Sequence, residues 1–183
     1  MEITTTFEPE SRAALRDWLV KHHAAAKEIW IVAPSGRKEV VSVSYLDVVE
    51  EALCFGWIDG IAKRFDAART AQRLTPRRPK GNWTELNKWR ARRLIAAGLM
   101  TDAGRAVLPD LLPAPIVLAR DVALALGGDP AVRRAFDALP ERYRRVRLGW
   151  IEEARKDPAE RAKRLANLVE KTKAGQLYGN WDD

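Results

Sequence analysis

Arg77, Arg78 and Lys80 fall within four positions of one another and are followed at once by Asn82 and Trp83, in the run PRRPKGNW (residues 76–83). Guanidinium and ammonium groups beside an indole can hold a phosphate or carboxylate and stack a flat ring. Arg73 lies just upstream and Asn87 just downstream. A helix opening at Asn82 would add free backbone amides that favour an anion. A carboxylate, Asp59, sits in the run GWIDG (residues 56–60). On a strand it shares a face with Trp57, while Ile58 points the other way. From there it can orient one of Arg64, Arg73, Arg77 or Arg78 by a bidentate pair, or serve as a base in a cleft. The candidate ligand- or anion-binding set is therefore Trp57, Asp59, Arg73, Arg77, Arg78, Lys80, Asn82, Trp83 and Asn87, with Asp59 the candidate for a catalytic group. A plainer reading stands beside this one. Trp83 can anchor the turn, Arg90, Arg92 and Arg93 can be solvated helix surface, and Asp59 can be a structural partner for one arginine.

The rest of the chain offers less chemistry. No phosphate-binding P-loop, dinucleotide fingerprint, HExxH or GxSxG run occurs. The one cysteine, Cys54, lies late in an apolar helical stretch and reads as core packing. His22 and His23 are adjacent, so only one can point along a given helix face, and they do not make a two-histidine metal site. GGDP (residues 127–130) reads as a helix end followed by proline in the next first turn. No metal and no cofactor are expected, and the balance leans away from an enzyme.

A chain of 183 residues with 46% hydrophobic and 31% charged residues has the material for a packed core, which excludes disorder as its main state. Its net charge of +7 is unevenly spread. Residues 61–95 carry 11 Lys/Arg against 2 Asp/Glu, whereas residues 1–60 carry 6 against 10. The basic segment is thus a local excess set against acidic flanks, and it points to an anionic ligand or a protein partner, with nucleic acid as an alternative. No window approaches the roughly 18 apolar residues of a membrane span, and the N-terminal residues lack the pattern of a secretory leader, so the expected location is cytoplasmic with no membrane insertion. Oligomeric state is not legible.

These side chains need a scaffold. Helical spacing starts near Pro9 and runs through Leu15, Trp18, Leu19 and His22. Ile29–Val32 and Val40–Val43 predict two strands of a hairpin across Pro34, Ser35 and Gly36. Ser42 or Ser44 caps a helix running from Tyr45 to Phe55, which Gly56 ends. Residues 58–65 and 70–75 predict a second hairpin reversing near Asp66. Helices follow from Asn82 to Ile95 and from Thr101. Beyond LPDLLPAP they recur at about 116–126, 130–139 and 141–155, and again from Pro158. The predicted class is α+β: a small, mostly antiparallel sheet of about four strands packed with helices, then a helical C-terminal part. The expected organisation is a mixed core over residues 1–108, a proline-rich linker at 109–115, helices over 116–175 packed on the core as one domain, and a polar tail at 176–183.

Three blocks carry a resemblance: YLDVVEEALCFGWIDG (residues 45–60), RLTPRRPKGNWTELNKWRARRLIAAGLMTDAG (73–104) and GWIEEARKDPAERAKRLANLVE (149–170). Through them the chain resembles the YdeI/OmpD-associated, or bacteriocin-protection, family over nearly its whole length. The matching positions are Glu51, Cys54, Phe55, Gly56, Trp57, Asp59, Arg73, Thr75, Pro76, Arg77, Pro79, Lys80, Asn82, Trp83 and Asn87. Gly60 stands where members often have serine, and LLPAPIVLARDV departs from the acidic helix start common there. The resemblance implies a stress-protection role, tolerance of bacteriocins or antimicrobial peptides, and supplies no catalytic residues. Three function classes follow, in this order: a non-enzymatic binding or protection protein acting through the basic, tryptophan-containing surface, a nucleic-acid binder using residues 61–95, and an enzyme on a small anionic substrate using Asp59 and the arginines.

Overall fold

The computed structural model describes residues 2–34, 43–78 and 80–181. The elements in chain order are β1 (Thr6–Phe7), α1 (Arg12–His22), β2 (Ile29–Pro34), α2 (Tyr45–Cys54), β3 (Trp57–Arg64), β4 (Arg69–Pro76), α3 (Glu85–Ala96), α4 (Asp102–Arg105), α5 (Arg120–Gly127), α6 (Pro130–Asp137), α7 (Glu141–Glu153) and α8 (Pro158–Lys173). The fold is α+β: a four-stranded sheet packed with helices, followed by a run of helices. The chain divides into two compact units, Met1–Trp83 with Asn87–Leu111, and Thr84–Leu86 with Leu112–Asp183.

In the first unit the strand order is β1-β2-β4-β3, with β1 parallel to β2 and the other pairs antiparallel. The β3–β4 hairpin forms as expected. Its reversal is fixed by Asp66, whose carboxylate accepts the backbone N–H groups of Ala68 and Arg69 at 2.9 and 2.8 Å. The other expected hairpin is not what β2 uses. Its partner is β4, in the register Ile29↔Leu74 to Pro34↔Arg69, and most of the expected strand at 40–43 lies outside the described residues. Strand β1, two residues long, is too short to leave a periodic signal in sequence.

Period-two alternation sorts β2 between two faces. Ile29 and Ile31 join Leu74, Trp57, Leu15 and Leu19 of α1, and Val48, Val49, Ala52 and Leu53 of α2 in the main core. Trp30 and Val32 face the other way, against Ala71 and Ile3. Ser44 caps α2 reciprocally. Its hydroxyl accepts the Asp47 backbone N–H at 3.1 Å, and the Asp47 carboxylate accepts the Ser44 N–H at 3.0 Å. Gly56 ends that helix at φ 73°, and a Cβ there would lie 2.7 Å from the Ala103 carbonyl, so both backbone angle and space require glycine.

In the second unit Val122, Leu126, Val132, Phe136, Ile151 and Leu168 form the core. Arg161 clamps this unit, donating to both oxygens of Asp121 at 2.7 and 3.0 Å and to Glu152 at 3.0 Å. The residues expected to be a bare polar tail contribute packing groups: Tyr178 and Trp181 meet the Tyr143 ring edge-on at 6.1 and 5.4 Å.

Candidate functional site

The hairpin and the start of α2 bring one part of the candidate set together. Asp59 pairs in register with Leu74, just before a register shift in β3. The hydroxyl of Tyr45, the first residue of α2, donates to Asp59 Oδ2 at 2.7 Å. Arg77 follows the last residue of β4, and its backbone N–H donates to the Gly56 carbonyl at 2.9 Å. That ties the end of α2 to the loop after β4. The Arg77 side chain turns inward and is 7% exposed. Its Nε donates to the Trp57 carbonyl at 3.2 Å and its Nη1 to the Asn82 carbonyl at 3.3 Å, while its guanidinium lies 3.8 Å from the Trp83 ring centroid. The Nη2 nitrogen is buried with no hydrogen-bond partner among the described residues. Burial pushes this guanidinium down to about 10, against the opposing pull of the Asp59 charge. It stays charged at neutral pH.

Arg77, Asn82 and Trp83 therefore form one cluster, and the Asp59 charge acts on its guanidinium. Trp57 does not belong to its surface. It is 1% exposed, packs edge-on against Trp18 and donates its indole N–H to the His23 carbonyl at 3.2 Å. The face it shares with Asp59 on β3 is a core face at that end. Arg73 is engaged elsewhere, with its Nε on Glu28 at 2.8 Å. Asn87 accepts from the buried Arg90 at 3.0 Å. Asn82 does not start a helix, because α3 begins at Glu85 and the Asn82 carbonyl serves Arg77 instead.

Much of the basic excess of residues 61–95 is matched inside the first unit. Arg64 donates to the Asp66 carbonyl at 3.0 Å, Arg69 bridges Asp66 and Glu8, Arg92 donates to the Leu111 carbonyl at 2.6 Å, and Arg93 pairs with Glu50. The acidic N-terminal flank thus supplies counter-charges to the basic segment. Arg78 and Lys80 stay exposed. Lys80 has φ 58°, a left-handed conformation that L residues other than Asn and Asp rarely adopt.

A second charged cluster escaped sequence reading. Glu50 and Glu51 are 3% and 2% exposed, consecutive on α2. Glu51 accepts from Arg12 at 2.7 Å and Arg16 at 2.9 Å, and Glu50 meets Arg12 at 2.9 Å. Their helix spacing gave no sign of this, because the arginines come from α1. Cys54 is buried beside them. Burial, and then the Glu51 charge, push its thiol upward despite Arg16, which fits packing and not nucleophilic chemistry.

The second unit holds a cleft of about 500 Å³, lined among others by Leu86, Val146, Arg147, Trp150, Glu153 and Tyr178. Arg147 is 7% exposed. Its Nη2 donates to the Asn180 carbonyl at 3.1 Å, and it lies 4.9 Å from the Tyr178 ring and 5.6 Å from that of Trp150. A short repeat becomes visible here. Gly-Asn-Trp occurs at 81–83 and at 179–181, and each time the asparagine carbonyl accepts from a buried arginine.

Fold and sites define a two-unit α+β protein with buried arginines stacked on aromatic rings. Its N-terminal residues 7–107, more than half of the chain, match the family described as Domain of unknown function (DUF8412), and the chain belongs to that family. Residues 115–175 match the family described as Bacteriocin-protection, YdeI or OmpD-Associated. The resemblance expected over nearly the whole chain is therefore partial. Of the three blocks that suggested it, only residues 149–170 fall within that match, and the blocks at 45–60 and 73–104 fall within the other family. No curated protein and no solved structure matches the chain. Among the described residues no helix is long and apolar enough to cross a membrane.

Proposed function

We propose that the protein is a non-enzymatic binding protein that takes an anionic group at the β4–α3 connection, on Arg78 and Lys80 beside the Arg77–Trp83 stack. One observation carries this reading. In a segment whose other arginines are met by carboxylates or carbonyls, Arg78 and Lys80 remain exposed next to a buried guanidinium with an unpartnered Nη2. Three cations against the single carboxylate of Asp59 leave a local positive field, and the left-handed backbone at Lys80 is a strained conformation of the kind retained at ligand contacts. Nucleic acid is served less well, because Arg69, Arg73 and Arg93 are taken up by Glu8, Glu28, Glu50 and Asp66, which interrupts the run of free cations that a phosphate backbone would need. The enzymatic reading is likewise weakened, since Asp59 is already engaged by the Tyr45 hydroxyl.

Calorimetric titration with inorganic phosphate at low ionic strength tests the proposal. Binding that weakens tenfold or more in Arg78→Glu/Lys80→Glu supports it, and binding indifferent to that double variant refutes it. A role in bacteriocin protection attaches by family likeness to the C-terminal unit alone. A chain of net charge +7 does not attract cationic peptides by bulk charge, so such a role requires a specific contact or an indirect route. If protection resides there, the same double variant leaves peptide tolerance of an expressing strain unchanged.

A further inference from the structure

The C-terminal cleft shares no lining residue with the site proposed above. Its lining includes a buried charge, Arg147, that has no ion pair among the described residues. Arg147 is 7% exposed, its Nε is buried with no partner, and its described polar contact is a neutral carbonyl, that of Asn180. A buried guanidinium without a carboxylate is costly, and the aromatic faces of Tyr143, Trp150 and Tyr178 offset only part of that cost. An incoming carboxylate would find the side-on edge of the guanidinium, Nε with its neighbouring Nη, suited to two parallel hydrogen bonds. The Tyr178 hydroxyl, buried and facing Arg147, offers a further donor.

The walls define the body of the ligand. Trp150 and Tyr178 meet at 70° with centroids 6.2 Å apart, and Leu86 and Val146 complete an apolar lining. A flat ring system packs well against such surfaces. Charge limits the choice further, because Glu85 and Glu153 also line the cleft. Two carboxylates there repel a phosphate dianion or a polyphosphate more than they repel a single delocalised negative charge. We propose that this cleft binds a flat, aromatic monocarboxylate, with its carboxylate on Arg147 and its ring against the wall formed by Trp150 and Tyr178. The Gly179–Asn180 segment sets the fit. A Cβ at Gly179 would stand 2.5 Å from Arg147 Nη1, so glycine lets the strap lie directly on the guanidinium.

The test is a calorimetric titration of the full chain with 1-naphthoate, its neutral isostere 1-naphthamide and inorganic phosphate, with the Trp150 indole N–H followed by NMR. The expected Kd for naphthoate is on the order of 0.1 mM, given ordinary ligand efficiency for so small a molecule. Naphthamide should bind at least tenfold more weakly, and the Trp150 signal should shift with naphthoate. Arg147→Met should abolish the difference between acid and amide. Because that variant alters a buried group, Asn167→Asp serves as the second. It adds a carboxylate to the cleft lining and should weaken naphthoate about tenfold while sparing naphthamide. Arg78→Glu/Lys80→Glu should leave naphthoate binding intact, which separates this site from the first. Equal affinity for acid and amide, or no shift at Trp150, overturns the proposal. Phosphate displacing naphthoate overturns the assignment to monocarboxylates.

Discussion

Replacing Arg77 by alanine and by methionine separates what its packing contributes from what its charge does. The two hydrogen bonds, at 3.2 and 3.3 Å, are long, and each is worth about 1 kcal/mol. The stack on Trp83 at 3.8 Å adds roughly 1–2 kcal/mol. Removing the buried methylenes beyond Cβ costs about 2 kcal/mol more. Against these stands the penalty for keeping the charge buried. A guanidinium lowered from its ordinary value to about 10 corresponds to roughly 3 kcal/mol disfavouring the charged form. Alanine loses all the favourable contributions and relieves that penalty, for a net cost of about 2–3 kcal/mol. Methionine keeps the stem and a sulfur–indole contact, so its stability should lie within about 1 kcal/mol of the parent. Urea unfolding followed by circular dichroism and by tryptophan fluorescence measures both, with the two probes compared because a two-unit chain need not unfold in one step. If Arg77→Met costs as much as Arg77→Ala, the charge itself holds the loop and the reasoning fails.

Three further outcomes follow from the first unit. Gly104→Ala should destabilise by about 2 kcal/mol or more, because a Cβ there runs into the Cys54 carbonyl and Met100 Sδ, and chemical denaturation would show it. Cys54 should react with a thiol reagent far more slowly in the native chain than in urea, and equal rates would contradict a thiol raised by burial. Burial alone would raise the Asp47 carboxyl, but Ser44 and Arg12 outweigh it and hold the group below its usual 3.8. Its contribution to stability is thus present above about pH 4 and is lost as pH falls through the lower folded value. Ser44→Ala, which removes a cap worth about 1 kcal/mol, should move the acid-unfolding midpoint upward.

Local patterns in the sequence were sufficient for much of the fold. The β3–β4 hairpin, a serine cap on α2 at Ser42 or Ser44, the Thr101 cap, the Gly56 stop and the helical C-terminal run all follow from turn chemistry and periodicity over a few residues. What escaped depends on distant partners. The two-residue β1 has no period, and the pairing of β2 with β4 is a choice between strands that composition does not make. The candidate site shows the same division. Arg77 and Trp83 are close in sequence and stack in space, yet the fates of Arg73 and Arg93 depend on Glu28 and Glu50, more than forty residues away. Segment charge summed to an open basic surface because the sum cannot see those pairings. Trp57 was misassigned for a related reason: alternation puts it on the same face as Asp59 but does not say that α1 covers that end. Arg147 and the Tyr178–Trp181 strap lie in stretches that read as a plain helix and a polar tail, and their local sign is the recurrence of Gly-Asn-Trp.

The central claim is that the β4–α3 connection holds an anion, and an NMR titration of the full chain with inorganic phosphate at low ionic strength tests it most directly. The resonances to follow are the Arg77 Nε–H, the Trp83 indole N–H and the Lys80 backbone amide. The account predicts saturable shifts at all three that vanish in Arg78→Glu/Lys80→Glu. Unmoved signals at all three through tens of millimolar phosphate would contradict it.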